Sequence, residues 1–194
     1  MEFIQKRINE FGADDFFSLK EWNYLHNEDP KESEKISYSW QYENLYVMEW
    51  ALGLIDGPLD FPDHFCAVAE AAQLLTAFHS MREILEAAKP RSAKELLDAC
   101  DMIFCLDWAC TDTRMRDLPA PAGMDGGVVF ERHKALNWLV GAGEKADWTM
   151  CRWIREEIKH SNKTHHGEIY GVFFNCIYNC SAGLRTCCAD RKIT

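Results

Sequence analysis

No apolar run in this 194-residue chain approaches the roughly 20 residues that a membrane-spanning helix needs. The opening MEFIQKRINE reads as an amphipathic helix and lacks the basic-then-apolar order of a secretory signal. Both observations lead to the expectation of a cytoplasmic protein with no membrane partner and reduced thiols. Positive charge is also scarce. Lys and Arg number 21 against 31 Asp and Glu, for a net charge of −10. A general nucleic-acid binder needs clustered cations to meet phosphates, so that class is excluded. An acidic surface suits a chain that repels its own copies, or one that meets a basic protein partner. The chain has no Gly-rich phosphate loop, no G-x-S-x-G nucleophile turn and no H-E-x-x-H zinc helix. No reaction is named by its motifs, and no cofactor is expected.

What is present is helical. Hydrophobic residues make up 47% and aromatics 12%, enough for a packed core. Ser18-Leu-Lys-Glu21, Ser80-Met-Arg-Glu83 and Ser92-Ala-Lys-Glu95 each place Ser three residues before Glu, the capping box that satisfies orphan N–H groups at a helix start. The longest helix is expected from about Ser33 to Ile55, with a wide stripe of Ile36, Trp40, Leu45, Val47, Met48, Ala51, Leu52 and Ile55, stopped by Gly57 and Pro58. Its aromatic residues Trp40, Tyr42, Tyr46 and Trp50 read as core and interhelical packing. A second long helix should run from about Ser92 into Thr111-Asp-Thr-Arg114, carrying Leu96, Leu97, Ala99, Ile103, Phe104, Leu106, Trp108 and Cys110. A Pro/Gly loop from Asp117 and a helix from Val128 to Gly141 follow. No β-alternation or internal repeat occurs before residue 148. The expected fold class is all-α, an irregular multi-helix domain over 1–148 with a long central helix.

The character of the chain changes after Trp148. Residues 1–148 hold 14 basic and 27 acidic side chains; residues 149–194 hold 7 and 4. Five of the nine cysteines, Cys151, Cys176, Cys180, Cys187 and Cys188, lie in that tail. Cys66, Cys100, Cys105 and Cys110 sit in apolar surroundings and read as small buried hydrophobes. The tail holds one strand-like run, IYGVFFNCIY at 169–178, and is expected to be poorly ordered or weakly packed. His165, His166 and its cysteines do not form the two compact ligand pairs that structural zinc prefers, so no metal is expected.

Three blocks, SWQYENLYVMEWALGLI (39–55), LDWACTDTR (106–114) and GVVFERHKALNWL (127–139), resemble the bacterial family called domain of unknown function 4272. The resemblance covers most of residues 1–148 and carries over no catalytic role. It implies a segment upstream of Met1 and an acidic close resembling W-D-D-V-x-x-D-T after the last helix. Here Trp148 is followed instead by Thr-Met-Cys-Arg-Trp-Ile-Arg. Restoring one base after the Trp148 codon forces Val across Met150–Cys151 and Asp across Trp153–Ile154, where that pattern has them, and permits the flanking acids. Residues 149–194 are therefore expected to be an out-of-frame read-through. Resequencing the gene tests this; an intact frame in independent isolates overturns it.

Candidate site residues cluster on two helices. His133 and Asn137 are spaced i, i+4 on one face, after Glu131 and Arg132. Glu43, Asn44 and Glu49 lie on the first long helix, Asp107 and Asp112 on the second. Glu43, Arg132, His133 and Asn137 form a candidate set for a small polar ligand or an acid–base pair. A buried, mutually satisfied polar network is the simpler account. Asp125-Gly-Gly-Val128 reads as a turn and cap rather than an anion site. Three functions follow. The first is a non-enzymatic interaction or regulatory module, immunity-like, with a basic partner. The second is a small ligand-binding domain or enzyme around Glu43, Arg132 and His133. The third is a degraded gene copy without a function of its own.

Overall fold

The computed structural model describes residues 2–13 and 17–141, and every regular element among them is helical. The expectations for residues 149–194, including the strand-like run and the His/Cys arrangement, lie outside the described residues. The helices are α1 (Glu2–Phe11), α2 (Leu19–Leu25), α3 (Glu32–Ser39), α4 (Gln41–Ala51), α5 (Val68–Thr76), α6 (Met81–Ala87), α7 (Ala93–Met115) and α8 (Gly126–Leu139), with a 3-10 turn at Pro121–Gly123. The described backbone gathers into two compact units: residues up to 45 with 67–87, and 46–66 with 88–141.

In the first unit, the buried apolar residues are Ile8, Phe11, Leu25, Tyr42, Leu45, Leu75 and Ile84, with Ala13, Ala71 and Ala72. Arg7 fastens α1 to the end of α5. Its Nη2 donates to the Phe78 carbonyl at 2.7 Å and the Leu75 carbonyl at 3.4 Å, and its guanidinium lies over the Phe11 ring. These carbonyls sit where α5 runs out of intrahelical donors, so a cation is favourable there. At α2 the Ser18 capping box is complete: Glu21 N donates to Ser18 Oγ, and the Glu21 carboxylate accepts from Ser18 N at 2.8 Å. At α6 the box is only half formed. Ser80 Oγ accepts from Glu83 N, but Glu83 accepts from His79 N instead of Ser80 N.

The expected Ser33–Ile55 helix is divided. It breaks at Trp40, where Glu43 N donates to the Trp40 carbonyl three residues back, and it ends at Ala51. The sequence explains the division. No residue of α3 is buried and Ile36 is 53% exposed, whereas Gln41 to Leu45 are all buried. The apolar stripe therefore begins at α4 and cannot hold the charged Glu32–Lys35 segment in one helix with it. The longest helix is α7, at 23 residues.

In the second unit, α4 ends on Gly53 rather than on Gly57 and Pro58. Gly53 has φ +67°, its N–H bonds the Trp50 carbonyl, and Leu54 N bonds the Glu49 carbonyl at 2.9 Å. This is the double closure of a Schellman turn, which favours glycine. The strap 89–91 satisfies the carbonyls that remain. Lys89 N donates to Leu52 O at 2.8 Å and Arg91 N to Ala51 O at 2.9 Å. The Arg91 side chain donates to the Trp50, Ile55 and Gly57 carbonyls and stacks on the Trp50 ring at 4.4 Å. Ser92 then caps α7 with the complete box expected of it.

Helices α7 and α8 pack together. Helix α7 buries Cys100, Ile103, Asp107 and Cys110, spaced three or four residues apart; α8 buries Val128, Val129, Arg132, His133, Ala135 and Leu136. Asp125 caps α8 by accepting from Gly127 N at 2.8 Å and Val128 N at 3.2 Å. Those donors are thus consumed, as the turn-and-cap reading requires. One burial expectation fails, at Cys105, and two large apolar residues of α7 lie open. Leu97 is 43% and Trp108 47% exposed, and Cys105 is exposed while Cys66, Cys100 and Cys110 are buried. Periodicity had placed these residues on helix faces, but no described neighbour covers them.

Candidate functional site

The second unit contains a concave cavity of about 600 Å³ between α7, α8 and the segment joining them. Its walls follow from helical spacing. Phe104, Asp107, Thr111 and Arg114 recur on one face of α7, with Trp108 beside them. Gly126, Phe130, His133 and Asn137 recur on one face of α8. The remaining wall, Leu118 and Ala120, is set by the way α7 ends. Asp117 takes a left-handed conformation, φ +54°; its N–H bonds the Arg114 carbonyl, and Leu118 N bonds the Thr113 carbonyl at 2.9 Å. A second Schellman turn, here with Asp in the position glycine usually holds, swings Leu118 back onto the cavity.

The polar floor is a buried pair. His133 Nδ1–H donates to Asp107 Oδ2 at 2.8 Å, with the two side chains 3% and 6% exposed. The Phe104 ring meets the imidazole edge-on, with centroids 5.8 Å apart. Both contacts fix the orientation of the ring facing the cavity. Asn137 Oδ1 accepts from the Cys100 thiol at 3.4 Å. Nucleophile chemistry finds little support. Burial, then the nearby Asp107 carboxylate, pushes the Cys110 thiol up, which keeps it protonated and poorly reactive. The Thr113 hydroxyl donates to the Ala109 and Cys110 carbonyls of its own helix.

Of the four residues the sequence singled out, His133 and Asn137 line this cavity. Arg132 is buried elsewhere in the second unit. It donates to the Asp60 carboxylate at 3.0 Å and the Asp60 carbonyl at 2.9 Å, with its guanidinium 5.0 Å from the centre of the Tyr46 ring. Burial and the hydrogen bond to Asp60 push the Tyr46 phenol up to about 12. Glu43 is fully buried and belongs to the first unit. The sequence reading missed Asp60, 72 residues from its arginine, for which no local signal exists. It also missed Phe104, Trp108, Leu118, Phe130 and Arg114 as cavity residues. Their spacing was readable, but the lack of cover over them was not.

Residues 1–151 match the family described as Domain of unknown function (DUF4272). The chain belongs to that family. No curated protein and no solved structure matches it. The cavity of this DUF4272 chain takes its lining largely from LDWACTDTR and GVVFERHKALNWL, two of the three blocks that carry the resemblance. Among the described residues of this DUF4272 protein, no group of three or more His, Cys, Asp or Glu side chains is placed to hold a metal, and no helix is long and apolar enough to cross a membrane.

Proposed function

We propose that this protein is a non-enzymatic binding module whose α7–α8 cavity takes a small, largely apolar ligand. The observation that carries the reading is the cavity itself, with aromatic walls over an oriented polar floor. A volume of about 600 Å³ lies within the range of small-molecule sites, roughly 300–1,000 Å³, which are typically apolar with a few fixed polar groups. Trp108 and Phe130, each 47% exposed, are large aromatic faces that a ligand would cover. The Asp107–His133 pair holds a ring in place for recognition, and the buried thiol and engaged hydroxyl beside it argue for binding without turnover.

A basic protein partner is the second reading, favoured by the acidic excess of residues 1–148. The two make different predictions for neutral aromatic fragments. Titrating a neutral naphthyl alcohol into the whole protein should saturate at one site and shift the Trp108 indole N–H resonance. Trp108→Ala, checked for folding by circular dichroism, should weaken binding about tenfold, as expected for a lost aromatic contact. Binding that leaves both the resonance and the affinity unmoved would sink the cavity reading.

A further inference from the structure

The arginines of the described residues share a habit that one of them breaks. Arg7 pairs with Glu10, Arg82 with Glu86, Arg91 with Glu95, Arg116 with Asp112 and Arg132 with Asp60. Among the described residues Arg114 pairs with no carboxylate, although the chain carries ten more acids than bases. Its side chain makes one hydrogen bond among the described residues, to the Thr111 hydroxyl at 3.5 Å, the far limit for such a contact. Asp112, the nearest acid on its helix, is held by Arg116 at 2.8 Å. This lone guanidinium lines the α7–α8 cavity.

From this geometry we infer that the cavity's ligand is an apolar organic acid, with a hydrocarbon body against Phe104, Trp108 and Phe130 and a single carboxylate on Arg114. The inference rests on the reading of the cavity as a ligand site. A guanidinium presents its N–H donors in a planar fork that matches both oxygens of a carboxylate, and ionised partners make such bonds about twice as strong as neutral ones. The Asp107 carboxylate on the floor disfavours an anion beside it, so the ligand's charge belongs at Arg114, about two helical turns further along α7. The walls disfavour a polyanion, which would leave charge against aromatic rings without a second cation. One carboxylate on an apolar body is the charge that the lining balances.

Arg114 has a plainer role to be weighed. It sits in the last turn of α7, where a cation complements the carbonyl end of the helix. That role requires no ligand and predicts no preference between acids and alcohols, so binding separates the two.

The test is calorimetric titration of the full chain at neutral pH with three probes of one shape: 2-naphthylacetate, 2-(2-naphthyl)ethanol and 2-(2-naphthyl)ethylamine. The acid is expected to bind at least about tenfold tighter than the alcohol, and the amine weakest. In Arg114→Gln the acid should fall to the affinity of the alcohol, whose own binding stays unchanged and reports an intact cavity. Equal binding of acid and alcohol, or preference for the amine, overturns the carboxylate assignment while the cavity reading stands. If none of the three binds, the cavity reading fails and this inference fails with it.

Discussion

Replacing Gly53 by alanine is expected to cost about 3 kcal/mol or more of folding stability, far beyond the usual effect of one methyl group. Two penalties add. At φ +67° any side chain is strained by about 1 kcal/mol. A Cβ built on Gly53 would also lie 2.2 Å from the Lys89 carbonyl oxygen. That oxygen is backbone, so the strap itself would have to move. Moving it loosens the Lys89–Leu52 and Arg91–Ala51 hydrogen bonds, each worth roughly 1 kcal/mol, and exposes the carbonyl end of α4. Gly57 supplies the control. Its φ is +82° but a Cβ there meets nothing within 4 Å, so Gly57→Ala should cost only about 1 kcal/mol. Urea unfolding of both variants checks the pair. Similar losses at the two glycines would show that the strap does not press on Gly53.

Glu49→Gln is expected to stabilise the protein, by an amount that grows with pH. Glu49 is fully buried, and neither carboxyl oxygen has a hydrogen-bond partner among the described residues. Burial pushes its carboxyl from the ordinary 4.5 up to about 9, so the folded chain holds it as a neutral acid at pH 7. The folded state therefore binds a proton that the unfolded state releases above pH 4.5. The stability from this group is fully present below that pH and is lost as pH rises towards 9. The loss runs at about 1.4 kcal/mol per pH unit. Gln carries no such proton. The two proteins should be about equally stable near pH 4.5, with the variant ahead by roughly 3–4 kcal/mol at pH 7. Unfolding curves at pH 5, 7 and 8.5 measure the gap, and a gap independent of pH would refute the assignment to Glu49.

The features legible in the sequence were those written in a few adjacent residues. Ser18 and Ser92 announced their helices because a capping box is local chemistry. Asp125 and Gly141 bracketed α8 for the same reason. Where the outcome depended on distant chain, the sequence was silent or misleading. Apolar spacing carried one helix through Trp40, since it counts side chains and does not ask whether anything buries Ile36. It placed Trp108 and Leu97 on α7 without showing that they stay open, since periodicity says which residues share a face and not what lies opposite. For the site, the i, i+4 spacing of His133 and Asn137 did indicate a shared face. Arg132, adjacent in sequence, faces Asp60 and Tyr46, because neighbouring positions on a helix point about 100° apart. That Arg114 has no acid among the described residues was unreadable until the other described arginines had been matched to theirs.

The cap on α8 also bears on how the protein ages. Asp125-Gly126 is a dipeptide prone to spontaneous ring closure, in which the glycine nitrogen attacks the aspartyl carboxyl and leaves an isomerised, lengthened backbone. Here that carboxyl is held by Gly127 N and Val128 N, and Asp125 N is itself tied to the Pro62 carbonyl at 2.9 Å. The folded chain thus shields from chemical wear the joint from which one wall of its cavity rises.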